Sequence, residues 1–182
     1  MNETDEALLL KSQQQDRTAF EELVRRTARL VFSRIFLDTG DTHRAEDLTQ
    51  ETFLVAWRSI AQVTDTKGFR PWLLSIARTT TVDANRRDSR KKRTAPGSRT
   101  SADQASAADP KPGPPETLES SEEQQRALNA LRALPEEYRE PLMLRYLGGA
   151  DYGTISRQLG LSNGSLRGLL NRGMTRLREM MK

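Results

Sequence analysis

The chain contains no cysteine, which excludes disulfides, thiolate metal sites and a cysteine nucleophile. Histidine occurs once, as His43 near an expected helix start, and a lone exposed histidine implies neither a ligand set nor a general base. No stretch approaches the roughly 20 apolar residues of a spanning helix, and the acidic opening "MNETDEALLL" carries an apolar run too short for a signal peptide. The expectation is a soluble cytoplasmic chain with no membrane insertion. No "GxxxxGK" phosphate cradle is present, and no alternating apolar run suggests a strand. Aromatic residues make up only 5% and hydrophobic residues 35% of the 182, against 30% charged, so any core is modest and built from amphipathic helices.

What is there is uneven. Six cations crowd together at Arg86, Arg87, Arg90, Lys91, Lys92 and Arg93, and three acids at Glu119, Glu122 and Glu123, within a net charge of only +4. Such clustering points to a polyanionic partner more than the net value does. Residues 95–116, "APGSRTSADQASAADPKPGPPE", lack any aromatic or large aliphatic side chain and cannot bury enough surface to order themselves. They read as a flexible linker reaching about 25 Å between a unit at 1–94 and a unit at 117–182.

Both units read as all-α. In the first, Thr18 and Glu21 form a capping-box pattern ahead of a stripe of Phe20, Leu23, Val24, Val31 and Ile35, with Gly40 as a stop. A second helix places Ala45, Leu48, Thr49, Thr52, Phe53, Ala56, Trp57 and Ile60 on one seam, leaving Asp47, Gln50, Glu51 and Leu54 on its other face. A third starts near Pro71 and turns Trp72, Leu73, Ile76, Ala77 and Thr80 inward. In the second unit Leu128, Leu131 and Leu134 mark one helix, Pro135 restarts the chain, and Leu142, Leu144 and Leu147 mark another, ended by Gly148 and Gly149. Glu136 and Glu137 sit in a first turn, where dipole compensation accounts for them.

The last segment, "LGLSNGSLRGLLNRG", is the most informative. Ile155 and Leu159 share a face, Gly160 permits a left-handed turn, and Ser162 caps a helix in which Leu166, Leu170 and Leu177 face back. This helix-turn-helix spacing exposes Ser165, Arg167, Gly168, Asn171 and Arg172 on the edge that enters a major groove, where Arg pairs with guanine and Asn with adenine.

Taken together, "AEDLTQETFLVAWRSI" with "FRPWLLSIARTTTVDANRR", and then "LRALPEEYREPLMLRYLGGADYGTISRQLGLSNGSLRGLLNRG", resemble regions 2 and 4 of bacterial RNA polymerase sigma factors of the extracytoplasmic-function group. The resemblance covers nearly all of the chain except the linker. It implies a promoter-specificity subunit that binds core RNA polymerase and promoter DNA, is held in check by an anti-sigma factor or similar partner, and needs no cofactor. It implies that Asp47, Leu48, Gln50, Glu51, Phe53 and Leu54 meet the polymerase clamp helices, although Leu48 and Phe53 fit the core better. It assigns Lys67, Arg70, Arg78, Asp83, Arg86 and Arg87 to the melted minus-ten element, and Ser165, Arg167, Gly168, Asn171 and Arg172 to the minus-thirty-five duplex. Trp72 is better read as core than as a stacking platform, and Asp83 also suits a helix ion pair with Arg87.

The sequence departs from the usual pattern at Gly168, Leu169, Met174 and Thr79, which leaves open the bases read. A stand-alone dimeric regulator would account for the second unit but not for the acidic and amide face of the first. An enzyme would need a carboxylate cluster or an activated nucleophile, and the acids here are scattered.

Overall fold

The computed structural model describes residues 3–94 and 118–181; the linker expected at 95–116 lies outside the described residues, as do the side chains at 67, 91–94 and 118–125. All regular structure among the described residues is helical. The first unit comprises α1 (Asp5–Gln13), α2 (Arg17–Thr39), α3 (Thr42–Ser59) and α4 (Phe69–Thr94), and the second α5 (Leu118–Ala133), α6 (Glu136–Leu142), α7 (Tyr152–Leu159) and α8 (Asn163–Met180).

Helix α1 was not anticipated from the sequence. Thr4 caps it, Asp5 and Glu6 complement its N-terminal dipole, and Leu8, Leu9 and Ser12 are buried. The Gln13 amide then donates to the Ile60 and Val63 carbonyls at 3.2 and 2.7 Å, tying α1 to the turn after α3. The cap of α2 is Asp16 rather than Thr18. The Asp16 carboxylate accepts from the Thr18 and Ala19 amides and from the Thr18 hydroxyl, which holds its pKa below the usual range. A charged acceptor two residues upstream outcompetes the hydroxyl, and Thr18 becomes a donor to it. Gly40 ends α2 in the left-handed region at φ +69°.

The core of the first unit runs from Leu8 and Leu9 through Leu23, Val31 and Ile35 of α2, and Leu48, Phe53 and Ala56 of α3, to Phe69, Leu73 and Ala77 of α4. Each fully buried large side chain contributes about 1.5–3 kcal/mol. Trp57 and Trp72 pack against this core, partly buried, the former tilted on Phe20 and the latter on Phe69.

In the second unit Pro141 stands inside α6, and the chain then widens into a π-type turn over Met143–Leu147, closed by the Gly148 amide on the Met143 carbonyl. The wider turn rotates Leu147 off the apolar stripe, so it is 38% exposed while Leu142 and Leu144 stay buried. Glycine at 149 supplies the left-handed backbone that follows, at φ +67°. The helix-turn-helix forms as its local signals dictate: Gly160 at φ +66° ends α7, and the Ser162 hydroxyl caps α8 by accepting from the Ser165 amide at 3.1 Å. Gly173 lies against α6, where a Cβ would come 3.0 Å from Leu142 Cδ1 and 3.2 Å from Tyr138 Cβ.

The two units pack together. Leu74 of α4 is buried among Leu134, Leu142, Leu144 and Ile155 of the second unit, with Leu30 of α2 alongside. Arg34 of α2 is 1% exposed and pairs with Glu140 of α6 at 2.5 Å, while Asp38 reaches Arg34 at 2.8 Å and Arg139 at 3.4 Å.

Candidate nucleic-acid interface

Helix α8 carries the expected reading edge. Leu166 and Leu170 are buried against the unit, and Ser165, Arg167, Asn171 and Arg172 are exposed. These side chains spread over the solvent-facing half of the helix, opposite Leu166 and Leu170, and lie in its N-terminal half, where the dipole also favours phosphate. Gly168 lies between them, and a Cβ there would meet only the Arg172 guanidinium, at 3.2 Å; the missing side chain lets Arg172 lie back along the helix. The Arg167 guanidinium sits 5.8 Å from the Tyr152 ring and that of Arg145 sits 5.2 Å from it. Neither Tyr152 nor Arg145 was singled out from the sequence, because the contact depends on how α7 crosses α8.

On α4 every described cation assigned to the minus-ten element has a carboxylate beside it. Arg70 pairs with Asp5 at 2.9 Å, Arg78 with Glu136 at 2.8 Å, and Arg87 with Glu51 at 2.9 Å. Asp83 approaches Arg86 at 3.7 Å, so the expected Asp83–Arg87 pair is replaced by Glu51–Arg87 across two helices. Glu51 and Arg87, assigned to different partners, thus sit together. Lys67 lies in the turn Thr66–Gly68, and its side chain is outside the described residues. The hydrogen bond to Arg78 holds the Glu136 carboxyl below its usual range and raises the Arg78 guanidinium. Glu136 therefore does more than complement a helix dipole.

On α3, Asp47 and Gln50 are exposed, Leu54 is 59% exposed, and Glu51 is half-buried. Leu48 and Phe53 belong to the core at 5% and 9% exposure and offer no face to a partner. Val55, 38% exposed and missed in the sequence, joins this surface. Between α3 and α4 runs an open groove lined by Glu51, Val55, Ile76, Thr79, Thr80 and Asp83, which puts Thr79 at a surface position of the first unit. A second groove lies between the turn Gln62–Asp65 and Pro71, Trp72 and Ser75, with Thr154, Arg157 and Gln158 of α7 as its far wall. Among the described residues no group of His, Asp or Glu is arranged to hold a metal ion, and no helix is long and apolar enough to cross a membrane.

Two family models match, in order along the chain: Sigma-70 region 2 over residues 19–91 and Sigma-70, region 4 over residues 124–177. The probable RNA polymerase sigma factor RfaY of Xanthomonas campestris pv. campestris is 37% identical over 141 residues, covering 78% of this chain and 35% of the relative. The ECF RNA polymerase sigma factor SigE of Mycolicibacterium smegmatis is 32% identical over 163 residues, covering 90% of this chain and 62% of the relative. The chain thus spans about a third and about three fifths of the lengths of these two relatives. Among solved structures, the sigma factor RpoE in complex with the anti-sigma factor NepR from Bartonella quintana shares the fold, with a TM-score of 0.64 at 21% identity over 89% of this chain and 96% of that one. With a region 2 bundle followed by a region 4 helix-turn-helix in a single polypeptide, the chain belongs to the sigma-70 family of RNA polymerase sigma factors, in its extracytoplasmic-function group.

Proposed function

We propose that this protein binds core RNA polymerase and directs it to promoters, working by recognition and binding energy rather than by catalysis. The observation that carries the reading is the pairing, in one chain, of an exposed arginine and asparagine edge on α8 with an acidic, amide and apolar face on α3. The first suits a polyanion and the second a protein. In this reading Arg167, Asn171 and Arg172, with Ser165 and the gap at Gly168, read the minus-thirty-five duplex. Arg70, Arg78, Arg86 and Arg87, with Asp83 and Lys67, engage the opened minus-ten strand, and Asp47, Gln50, Glu51 and Leu54 meet the polymerase clamp. A negative surface there also keeps DNA off the protein contact.

The site of action is the cytoplasm, where polymerase and promoter meet. A fold shared with a sigma factor solved in complex with an anti-sigma factor supports regulation by a partner of that kind, which would cover the α3 face or the DNA surfaces. The decisive test is run-off transcription from a genomic fragment library with core polymerase, with and without the protein. Discrete new start sites are expected. Tight duplex binding with neither new starts nor co-elution with polymerase would replace this reading by that of a stand-alone regulator.

A further inference from the structure

We propose that Gln13 is a positioning residue for the opened strand: through its side-chain amide, α1 holds the chain between α3 and α4 in the shape that presents Lys67 and Arg70. This rests on the assignment of those two cations to the minus-ten element. Gln13 stands first in a run of three glutamines, and the three fare differently. Gln14 and Gln15 are exposed, whereas Gln13 is half-buried and gives the protons of one amide nitrogen to two backbone carbonyls, those of Ile60 at 3.2 Å and Val63 at 2.7 Å. These acceptors lie 47 and 50 residues along the chain, so the contact is tertiary. Helix α3 has ended there: Ile60 opens a 3₁₀ turn over Ile60–Gln62, and Val63 is already extended. Carbonyls at a helix end lack intrahelical partners, and Gln13 supplies donors to this one from another helix.

The far end of the same segment is held by the far end of α1. Asp5, in its first turn, pairs with Arg70 at 2.9 Å and with Arg26 of α2 at 3.2 Å. A helix of 9 residues, about 12 Å long, thus grips residues 60–63 with its C-terminal end and Arg70 with its N-terminal end. Its own place is fixed by the buried Leu8 and Leu9 and by Gln15, whose left-handed backbone at φ +68° bends the chain into α2. That conformation is uncommon for a residue with a side chain, and the Asp16 amide closes it by donating to the Lys11 carbonyl at 3.1 Å. Between the two grips Val63 and Phe69 are buried, while Thr64 and Asp65 are exposed and Lys67 lies in the turn Thr66–Gly68. The segment is therefore pinned at its ends and open to solvent in the middle. A loop held in its binding shape avoids the ordering cost that a free loop meets on capturing a ligand, and Gln13 is the polar tie that sets this backbone before a strand arrives.

The test uses the full chain. Gln13→Met keeps the length of the side chain and removes both donors, and Gln13→Glu sets a carboxylate against the two carbonyls. Gln14→Glu adds the same charge one residue on, at an exposed position. Amide hydrogen exchange reports the order of residues 60–68, and thermal melting the stability of the unit. Co-elution reports binding to core polymerase, and nuclease footprinting the hold on upstream duplex. Permanganate oxidation of unpaired thymines reports opening of the minus-ten strand, on the fragment that gives the strongest wild-type start in the run-off library. Loss of the two hydrogen bonds should speed exchange across residues 60–68 about tenfold. Minus-ten opening should fall at least about threefold in Gln13→Met, as the fraction of chains with a ready-formed loop falls, and further in Gln13→Glu. Co-elution and the upstream footprint should stay as in wild type, and Gln14→Glu should behave as wild type throughout. The proposal is overturned if exchange in Gln13→Met is unchanged, or if the segment loosens and the strand opens as before. It is equally overturned if melting, polymerase binding, footprint and opening all fall together, the mark of a role in stability alone. A wild-type chain that opens no template removes the sigma-factor reading and the role of Gln13 with it, whereas wild-type opening matched by both Gln13 variants removes only the latter.

Discussion

The first unit closes its core with its own residues, from Leu8 to Ala84, whereas the core of the second is completed by Leu74 and flanked by Leu30 from the first. Two adjacent leucines express the difference. Leu73 and Leu74 are 0% and 1% exposed on the same turn of α4, yet they belong to different cores. A helix buried on two sides couples two events that composition alone would treat as independent, the folding of one unit and the docking of the other. What looks like a tethered pair of domains is, in the free chain, one unit serving as the floor of the next.

The largest expected effect tests that division. Leu73→Ala and Leu74→Ala each remove the same side-chain volume from a packed site and should each cost about 2–5 kcal/mol. For Leu73→Ala the loss should appear as a lower denaturation midpoint of the first unit. For Leu74→Ala it should appear mainly as opening, seen as an increased radius of gyration at unchanged helicity. Equal effects of the two variants on the same unfolding transition would dissolve the distinction.

The Arg34–Glu140 pair sharpens the comparison. Removing one member of a buried pair typically costs about 3–5 kcal/mol, because the partner is left charged in a low dielectric. Glu140→Ala should fall at the lower end, about 3 kcal/mol, since Asp38 still lies 2.8 Å from Arg34. Chemical denaturation of this variant and of Arg34→Met, Glu140→Met is the check: the double variant should recover most of the loss. A further loss in the double variant would mean that the ion pair itself, and not the avoidance of an orphaned charge, holds the units together.

Within α8 two glycines make a smaller contrast of opposite sign. Gly173→Ala would drive a methyl into Leu142 and Tyr138 and should destabilise by about 1–3 kcal/mol. Gly168→Ala meets only the mobile end of Arg172 and should stabilise by up to about 1 kcal/mol through helix propensity, while displacing that guanidinium. Thermal melts separate the two, and a duplex selection on Gly168→Ala checks the proposed role of Arg172: a changed base preference is expected if that guanidinium reads the duplex, and an unchanged one would remove it from the reading edge.

These contrasts also mark how far the sequence alone was legible. The helix-turn-helix could be read because its signals are local: Gly160, Leu161 and Ser162 lie within three residues, and each constrains the backbone where it stands. The stop at Gly40 and the core role of Leu48 and Phe53 followed for the same reason. Helix α1 was missed because its apolar run is short and its order depends on burial of Leu8 and Leu9 and on Gln13 reaching the turn at residues 60–63. The cap of α2 was misassigned because Asp16 and Thr18 both suit the role, and only geometry decides between them. Arg34, Leu74 and Glu136 carried no local sign of their roles, since their partners lie in the other unit, far along the chain. The exposure of Arg167, Asn171 and Arg172 was legible from the helical spacing, but not the carboxylates set against Arg70, Arg78 and Arg87.

The smallest effect is expected in acid, and it separates the two carboxylates that bridge the units. Burial pushes the Glu140 carboxyl above its ordinary range against the opposing pull of Arg34, while the hydrogen bond from Arg78 holds Glu136 below it. In the opened molecule both face water and titrate in the ordinary carboxylate range. A raised pKa in the closed form means that Glu140 favours closure most fully as the neutral acid, which keeps a hydrogen bond to Arg34 that alanine at this position cannot make, and that this contribution is lost as pH rises through the raised value. The depressed Glu136 favours closure as the carboxylate and loses that contribution as pH falls through its own value. The two windows lie on opposite sides, so acidification from neutrality should first tighten the closed form and then loosen it. The radius of gyration followed across this range should pass through a minimum, with Glu140→Gln flattening only the upper limb and Glu136→Gln only the lower. Steady loosening from neutrality in the wild-type chain would mean that Arg34 outweighs burial at Glu140, and that the buried pair is held by its charge rather than in spite of it.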